Sequence, residues 1–114
     1  MLDDYSQVGK QHQVLVAEER ERIIGVVVLI RKKSGILLDN VAVLPAYQGR
    51  GLGHRLIRLA ETRALKQGFQ YLDMYTYELM TENIEMYKRY GYAEARRCVE
   101  KGYRRVYMRK KLLS

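Results

Sequence analysis

The sequence predicts a mixed α/β fold, an α+β mixed sheet in which an antiparallel β meander leads into β-α-β-α-β-β order within a single three-layer domain. Three observations carry this. Residues 22–31 are strongly β-branched with an unbroken apolar centre, as in a strand covered on both faces. After Pro45 the apolar spacing changes to that of a helix, with Leu52, Leu56, Leu59 and Ala60 on one side. Two further β-like segments then surround a Lys101-Gly102 turn at the C-terminal end.

Taken in order, residues 13–17 read as a short strand and residues 18–21 as a polar turn. Residues 22–31 form the second strand. Residues 32–35, ending in Gly35, turn the chain into a third strand over residues 36–43. Within it the two-residue period puts Leu37, Asp39, Val41 and Val43 on one face. A glycine-rich loop leads into the first helix, which stops near Gly68. Residues 69–77 are strand-like. Thr81 is placed to cap a second helix, with Glu82 and Glu85 where the helix dipole favours acid, and Gly91 ends it. Residues 92–100 and 103–111 are the last two strands.

Composition narrows the class. A chain of 114 residues with 47% hydrophobic residues and one proline suits one compact domain, without linker, repeat or low-complexity segment. Cys98, the single cysteine, has no internal disulfide partner, which points to a reducing compartment. The longest apolar run, residues 23–30, is far short of the ~18 residues of a membrane span. The start, Met-Leu-Asp-Asp, lacks the basic-then-apolar order of a signal peptide, so a cytoplasmic protein without membrane association is expected. The formal net charge of +8 is concentrated in residues 96–111, where eight basic residues face a single acid, Glu100. Such a stretch could meet an anionic partner, nucleic acid included, or simply be the solvated, charge-protected edge of two terminal strands. No nucleic-acid motif accompanies it, so the second reading is preferred.

Glycines alternate at 49, 51 and 53, between a strand and a helix. Without a Cβ the loop's amides can approach a ligand closely, and the helix N-terminus adds partial positive charge and unpaired N–H groups. This junction suits a pyrophosphate, with Arg50 adding a charged donor. The spacing does not fit a P-loop, and His54 stands where the dinucleotide fingerprint requires its third glycine. A tight turn without a ligand is the bland alternative.

The run Val41-Ala42-Val43-Leu44-Pro45-Ala46-Tyr47-Gln48-Gly49-Arg50-Gly51-Leu52-Gly53 strongly resembles the acetyl-CoA motif of the GNAT superfamily of N-acetyltransferases, with Gln48, Gly51 and Gly53 at its signature positions. A second run, Asn83-Ile84-Glu85-Met86-Tyr87-Lys88-Arg89-Tyr90-Gly91-Tyr92, is similar to the family's late helix. The resemblance extends from about Gln13 to the C-terminus. It implies acetyl-CoA as co-substrate, a primary amine as acceptor, direct transfer in a ternary complex, and no metal. It implies that amides of Gly49, Arg50, Gly51, Leu52 and Gly53 hold the pyrophosphate. It also implies that Val41, Ala42 and Val43 lie along the pantetheine arm, with Asn83 beside it and Tyr87 at the sulfur.

That chemistry suits the residue types. A backbone N–H at Val41 would steady charge on the carbonyl oxygen, and a tyrosine hydroxyl can protonate a leaving thiolate. Asp39 is the candidate base, through water. Each has a plainer alternative: Tyr87 as a core aromatic, Asp39 as a partner for a basic neighbour, Asn83 as a helix-end residue. His54 reads as a helix-end residue and Cys98 as a small buried one. The tyrosines at 71, 75, 77, 90, 92, 103 and 107 read mostly as packing, with Tyr75 and Tyr77 as candidates for an acceptor pocket.

The sequence departs from the family in two places. About a dozen residues precede the first clear strand, where family members carry a strand and two helices, and Met80 stands where an asparagine is usual. The short start makes a catalytically silent acyl-CoA-binding module one rival reading, and the basic stretch of residues 96–111 makes a nucleic-acid-binding protein the other. Exposed terminal strands suggest a homodimer.

Overall fold

The computed structural model describes the backbone of residues 2–4 and the whole of residues 12–112. Its elements are β1 (Leu2–Asp4), β2 (His12–Glu19), β3 (Arg22–Lys32), β4 (Gly35–Val43), a 3₁₀ turn (Pro45–Tyr47), α1 (Leu52–Lys66), β5 (Tyr71–Tyr77), α2 (Thr81–Arg89), β6 (Ala93–Glu100) and β7 (Tyr103–Lys111). They form one sheet in the order β1-β2-β3-β4-β5-β7-β6. The mixed α/β order is the expected one, with a short additional strand, β1, pairing antiparallel with β2.

β2, β3 and β4 form the antiparallel meander. β4 and β5 run parallel across α1, and β5 passes through α2 to β6, so that β7 returns between β5 and β6. Both crossovers step the same way along the sheet. The right-handed rule for such connections then sends both helices to the same face. The described elements thus supply two layers, the sheet and one layer of helices, in place of the three expected, since no described helix covers the other face.

The core lies between that face and the helices. Leu15, Val27 and Leu29 from the meander meet Leu56, Ala60 and Ala64 of α1, with Leu72, Met74, Val106 and Met108 beyond them. Burying each large aliphatic chain is worth roughly 1.5–3 kcal/mol, which outweighs the helix's short length as a source of order. Gly25 lets α1 approach β3 closely: a Cβ there would stand 2.8 Å from Leu56 Cδ1. Leu59, expected on the buried stripe, is 41% exposed, and Ile57 takes its place in the core. The cap of α2 is Met80 rather than Thr81, and no side chain caps that end.

One irregularity decides the geometry of β4. Leu29 pairs with Leu38 and Val28 with Asn40, so Asp39 is an extra residue, a β-bulge. The bulge reverses the alternation. Leu38, Val41 and Val43 oppose Leu29, Val27 and Gly25 on the helix side, whereas Leu37 opposes Ile30 on the other. The expected sharing of one face by Leu37, Asp39, Val41 and Val43 is therefore corrected: Leu37 lies on the face opposite the two valines, because a strict two-residue period does not survive a bulge.

Candidate active site

β4 and β5 are paired only at Leu37–Asp73 and Leu38–Met74. Past these pairs the strands separate. β4 remains bonded to β3 on one side, and its backbone groups on the other side open into the gap. The bulge at Asp39 sits where the gap begins.

On the helix side the gap widens into a cleft of about 530 Å³ between β4, the glycine loop, α1 and α2. Val41, Val43, Gln48, Gly49, Gly51, Leu52, Gly53, Asn83 and Tyr87 all line it, so two sequence motifs about thirty residues apart share one wall-to-wall site. Gln48 Nε2 donates to the Val43 carbonyl at 3.0 Å, which closes the loop onto the end of β4. Gly49 and Gly51 adopt left-handed backbone, φ 79° and 78°, which a side chain would strain although it would meet nothing within 4 Å. Gly51 is the α1 cap, and neither a side-chain cap nor an acid in the first turn competes for that helix end. Among the described residues no backbone carbonyl accepts the amides of Gly51, Leu52, Gly53 or His54. Unpaired amides, a helix N-terminus and an open strand edge fit an extended ligand with an anionic end.

Two expected residues are not brought to the cleft. Ala42 points to the other side of β4 by alternation and is exposed. The Arg50 guanidinium is exposed and lies over the Tyr47 ring, 5.5 Å from its centre. Tyr47, His54, Ile57, Met86 and Tyr90 also line the cleft and were not expected as site residues. His54 stacks on Tyr90 with centroids 3.7 Å apart and planes 5° from parallel, pinning the start of α1 to the end of α2 across the cleft. No local spacing signals this contact; only the fold brings position 54 to position 90.

On the far side of the gap a second cleft, about 350 Å³, is lined by Asp39, Asn40, Val41, Tyr75, Tyr77, Met80, Asn83 and Tyr87. The two clefts meet at Val41, Asn83 and Tyr87. Asn83 and Tyr87 are one turn apart on α2 and so share a face. Tyr87 sits between solvent and core, and burial pushes its phenol above its ordinary value of 10.0, with the Tyr90 phenol adding to the rise. At neutral pH it is a proton donor. Tyr75 donates to Asp39 Oδ1 at 3.3 Å. Burial raises the Tyr75 phenol first, the Asp39 charge adds to that, and Arg105 opposes it.

Tyr92, edge-on to Tyr87 at 6.5 Å, is held from behind. Its hydroxyl donates to Glu61 at 2.8 Å, and Lys110 Nζ pairs with the same carboxylate at 3.2 Å. Cys98 is not the buried small residue expected. It is partly exposed on the edge strand β6, where its thiol donates to Glu100 at 3.0 Å. That bond, together with partial burial and the carboxylate's charge, raises the thiol above its ordinary range, so it is a poor nucleophile at neutral pH. Among the described residues no group of three His, Cys, Asp or Glu could hold a metal ion, and no helix is long and apolar enough to cross a membrane.

Residues 10–94 match the family model described as "Acetyltransferase (GNAT) domain". The chain belongs to the GNAT acetyltransferase family. Among its curated relatives is a mycothiol acetyltransferase from Jonesia denitrificans, 34% identical over 90 residues. That match covers 77% of this chain but only 29% of the relative. Two solved structures share the fold over nearly their full length. A GNAT family acetyltransferase from Elizabethkingia anophelis with acetyl-CoA bound superposes with a TM-score of 0.83 at 15% identity, covering 98% of this chain and 97% of that one. An IAA acetyltransferase from Bacillus cereus gives 0.80 at 18% identity, covering 98% and 99%.

Proposed function

We propose that this chain is an acetyl-CoA-dependent N-acetyltransferase that passes an acetyl group directly to a primary amine in a ternary complex. The observation that carries the proposal is the meeting of the two clefts at Val41, Asn83 and Tyr87. A donor entering along the loop side and an acceptor entering from the sheet side would reach each other only there. Family membership and the solved relative with acetyl-CoA bound support the choice of donor.

Bound acetyl-CoA supplies an activated acyl group and a thiolate leaving group. The chain's own residues do the rest. Free amides of the glycine loop and the start of α1 bind the phosphates, and the unpaired edge of β4 receives the extended arm. The Val41 amide stabilises charge on the carbonyl oxygen. Asn83 orients the arm from α2. Tyr87, held protonated by burial, donates to the departing sulfur. Asp39, beside the gap, takes the amine's proton through water. As the edge strand of the described sheet, β6 offers unpaired backbone groups, and we extend the reading to a homodimer formed there. Light scattering giving the monomer mass removes that extension.

The test is release of free CoA across a panel of small amines. Tyr87→Phe is expected to lower kcat about 10²-fold, and Asp39→Asn to lower it by a similar factor of about 10² with a changed pH profile, since general acid and base steps contribute on this scale. Unchanged turnover in the double variant removes the mechanism. Saturable cofactor binding without CoA release from any amine leaves an acyl-CoA-binding module instead.

A further inference from the structure

The helix-free face of β5, β7 and β6 beside the acceptor-side cleft is built of tyrosines and arginines. Tyr75 and Tyr77 line the cleft, and in the sheet Tyr77 pairs with Arg105 and Tyr75 with Tyr107. The Arg105 guanidinium lies over the Tyr75 ring, 4.2 Å from its centre. The hydroxyl of that same ring donates to Asp39. Tyr75 therefore touches a carboxylate at the mouth of the gap with its hydroxyl and a guanidinium with its ring face, Arg105 itself lining the adjoining cleft beside Arg97 and Cys98.

Arg105 is poorly matched within the protein. Arg109 is held in a double contact by Asp73, at 2.6 and 3.0 Å, and Glu78 is taken by Arg97 and Arg104. Glu100 accepts from Tyr107 at 2.7 Å and from Cys98 at 3.0 Å, while Arg105 Nη1 stands 3.8 Å from it and 3.4 Å from the Tyr107 hydroxyl. Arg105 Nε is buried with no hydrogen-bond acceptor among the described residues. A second guanidinium, Arg96, lies 4.2 Å over the Tyr107 ring and, among the described residues, donates only to the Cys98 sulfur. The buried Nε is closed to a ligand, but the terminal nitrogens of two weakly paired guanidiniums are what an anion's oxygens would satisfy, since the planar fork of arginine matches a carboxylate or a phosphate.

We infer that the acceptor is an amine carrying a carboxylate or phosphate a few bonds away, its anionic oxygens received by Arg105 with Arg96 behind, and its amino group directed to Asp39 and the gap. The inference rests on the proposed N-acetyl transfer. It narrows the acceptor from any amine to an amino acid or amino phosphate, and it excludes polyamines and neutral amines, which would meet Arg105 with nothing to offer it.

The test compares matched pairs. Glycine, β-alanine, 4-aminobutyrate and 2-aminoethyl phosphate are assayed as acceptors against glycinamide, β-alaninamide, 4-aminobutyramide and ethanolamine. Carboxylate against phosphate separates the two anions. The expected result is a KM at least tenfold lower for an anionic acceptor than for its neutral partner, and loss of that ratio in Arg105→Met. Arg105→Lys, which keeps a charge but not the fork, should retain part of it and guards against a variant that fails to fold. Calorimetric binding of 4-acetamidobutyrate, N-acetylglycine and N-acetyl-2-aminoethyl phosphate needs no turnover. At least one should bind the wild type, and tenfold more weakly to Arg105→Met. Equal KM values within the pairs, an unchanged ratio in Arg105→Met, or no binding of any acetylated product overturns the inference while leaving acetyl transfer intact. Failure of acetyl-CoA itself to bind removes the underlying reading instead.

Discussion

Tyr87 and Tyr92 show how burial assigns chemistry to a residue type that is common in this chain. The phenol ionises near 10.0 in the unfolded chain, and the fold holds both protons more tightly. For Tyr92 burial is the first cause, with the Glu61 carboxylate next. A group whose value is raised in the fold favours the folded state below its unfolded value. That advantage is lost as the pH climbs past it. Thermal unfolding followed by circular dichroism should therefore show a fall in Tm beginning above about pH 10, and Tyr92→Phe should flatten the fall. An unaltered alkaline limb in the variant would mean that Tyr92 is not the titrating group. That the glycines, Gln48 and Tyr87 would share one cleft was legible because two sequence motifs carry them. His54 was not, since its partner Tyr90 lies in another element. Nor was the side-chain direction of Ala42, which depends on the pairing of β4 with β3.

At the scale of elements, turns and bulges separate what local sequence specifies from what it leaves open. The Lys101-Gly102 turn was read directly, and both residues have positive φ, 52° and 81°. The β2–β3 turn has the same backbone without the suitable residues: Arg20 and Glu21 stand at φ 52° and 64° between the paired Glu19 and Arg22. Left-handed backbone costs an ordinary residue about 1–2 kcal/mol. Replacing the pair by Asn-Gly should recover about that much and raise Tm by about 4–8 °C on calorimetric scanning. A lower Tm would show that these side chains contribute something the backbone does not reveal. The same penalty acts in reverse in the glycine loop. Gly51→Ala should lose about 1–2 kcal/mol of stability, read by urea unfolding, and weaken the anion cradle as the cap of α1 shifts. The bulge at Asp39 was invisible because the strand's composition is unremarkable on either side of it. Only the pairing with β3 shows that Val28 and Leu29 face three residues of β4.

The whole molecule combines a seven-stranded sheet with a parallel pair that separates after two rungs, and the candidate site is that separation. The element order was readable because periodicity changes sharply at Pro45 and again near Gly68. The short β1 was not, being only three residues long. The uncovered sheet face was not readable either, because it follows from the handedness of two crossovers rather than from any segment's composition. Three of the basic residues near the C-terminus, Arg96, Arg105 and Arg109, find a structural place on that face, laid over tyrosine rings. The chain spans 29% of the length of the mycothiol acetyltransferase it matches, so what this chain binds is the first question to put to it. Calorimetric titration with acetyl-CoA, with ATP and NAD as controls, asks this directly. Saturable one-to-one binding of acetyl-CoA alone, weakened in Gly51→Ala, is the predicted result. No binding of acetyl-CoA, or equal binding of all three, would contradict the assignment of the glycine loop and the β4 gap as a coenzyme A site.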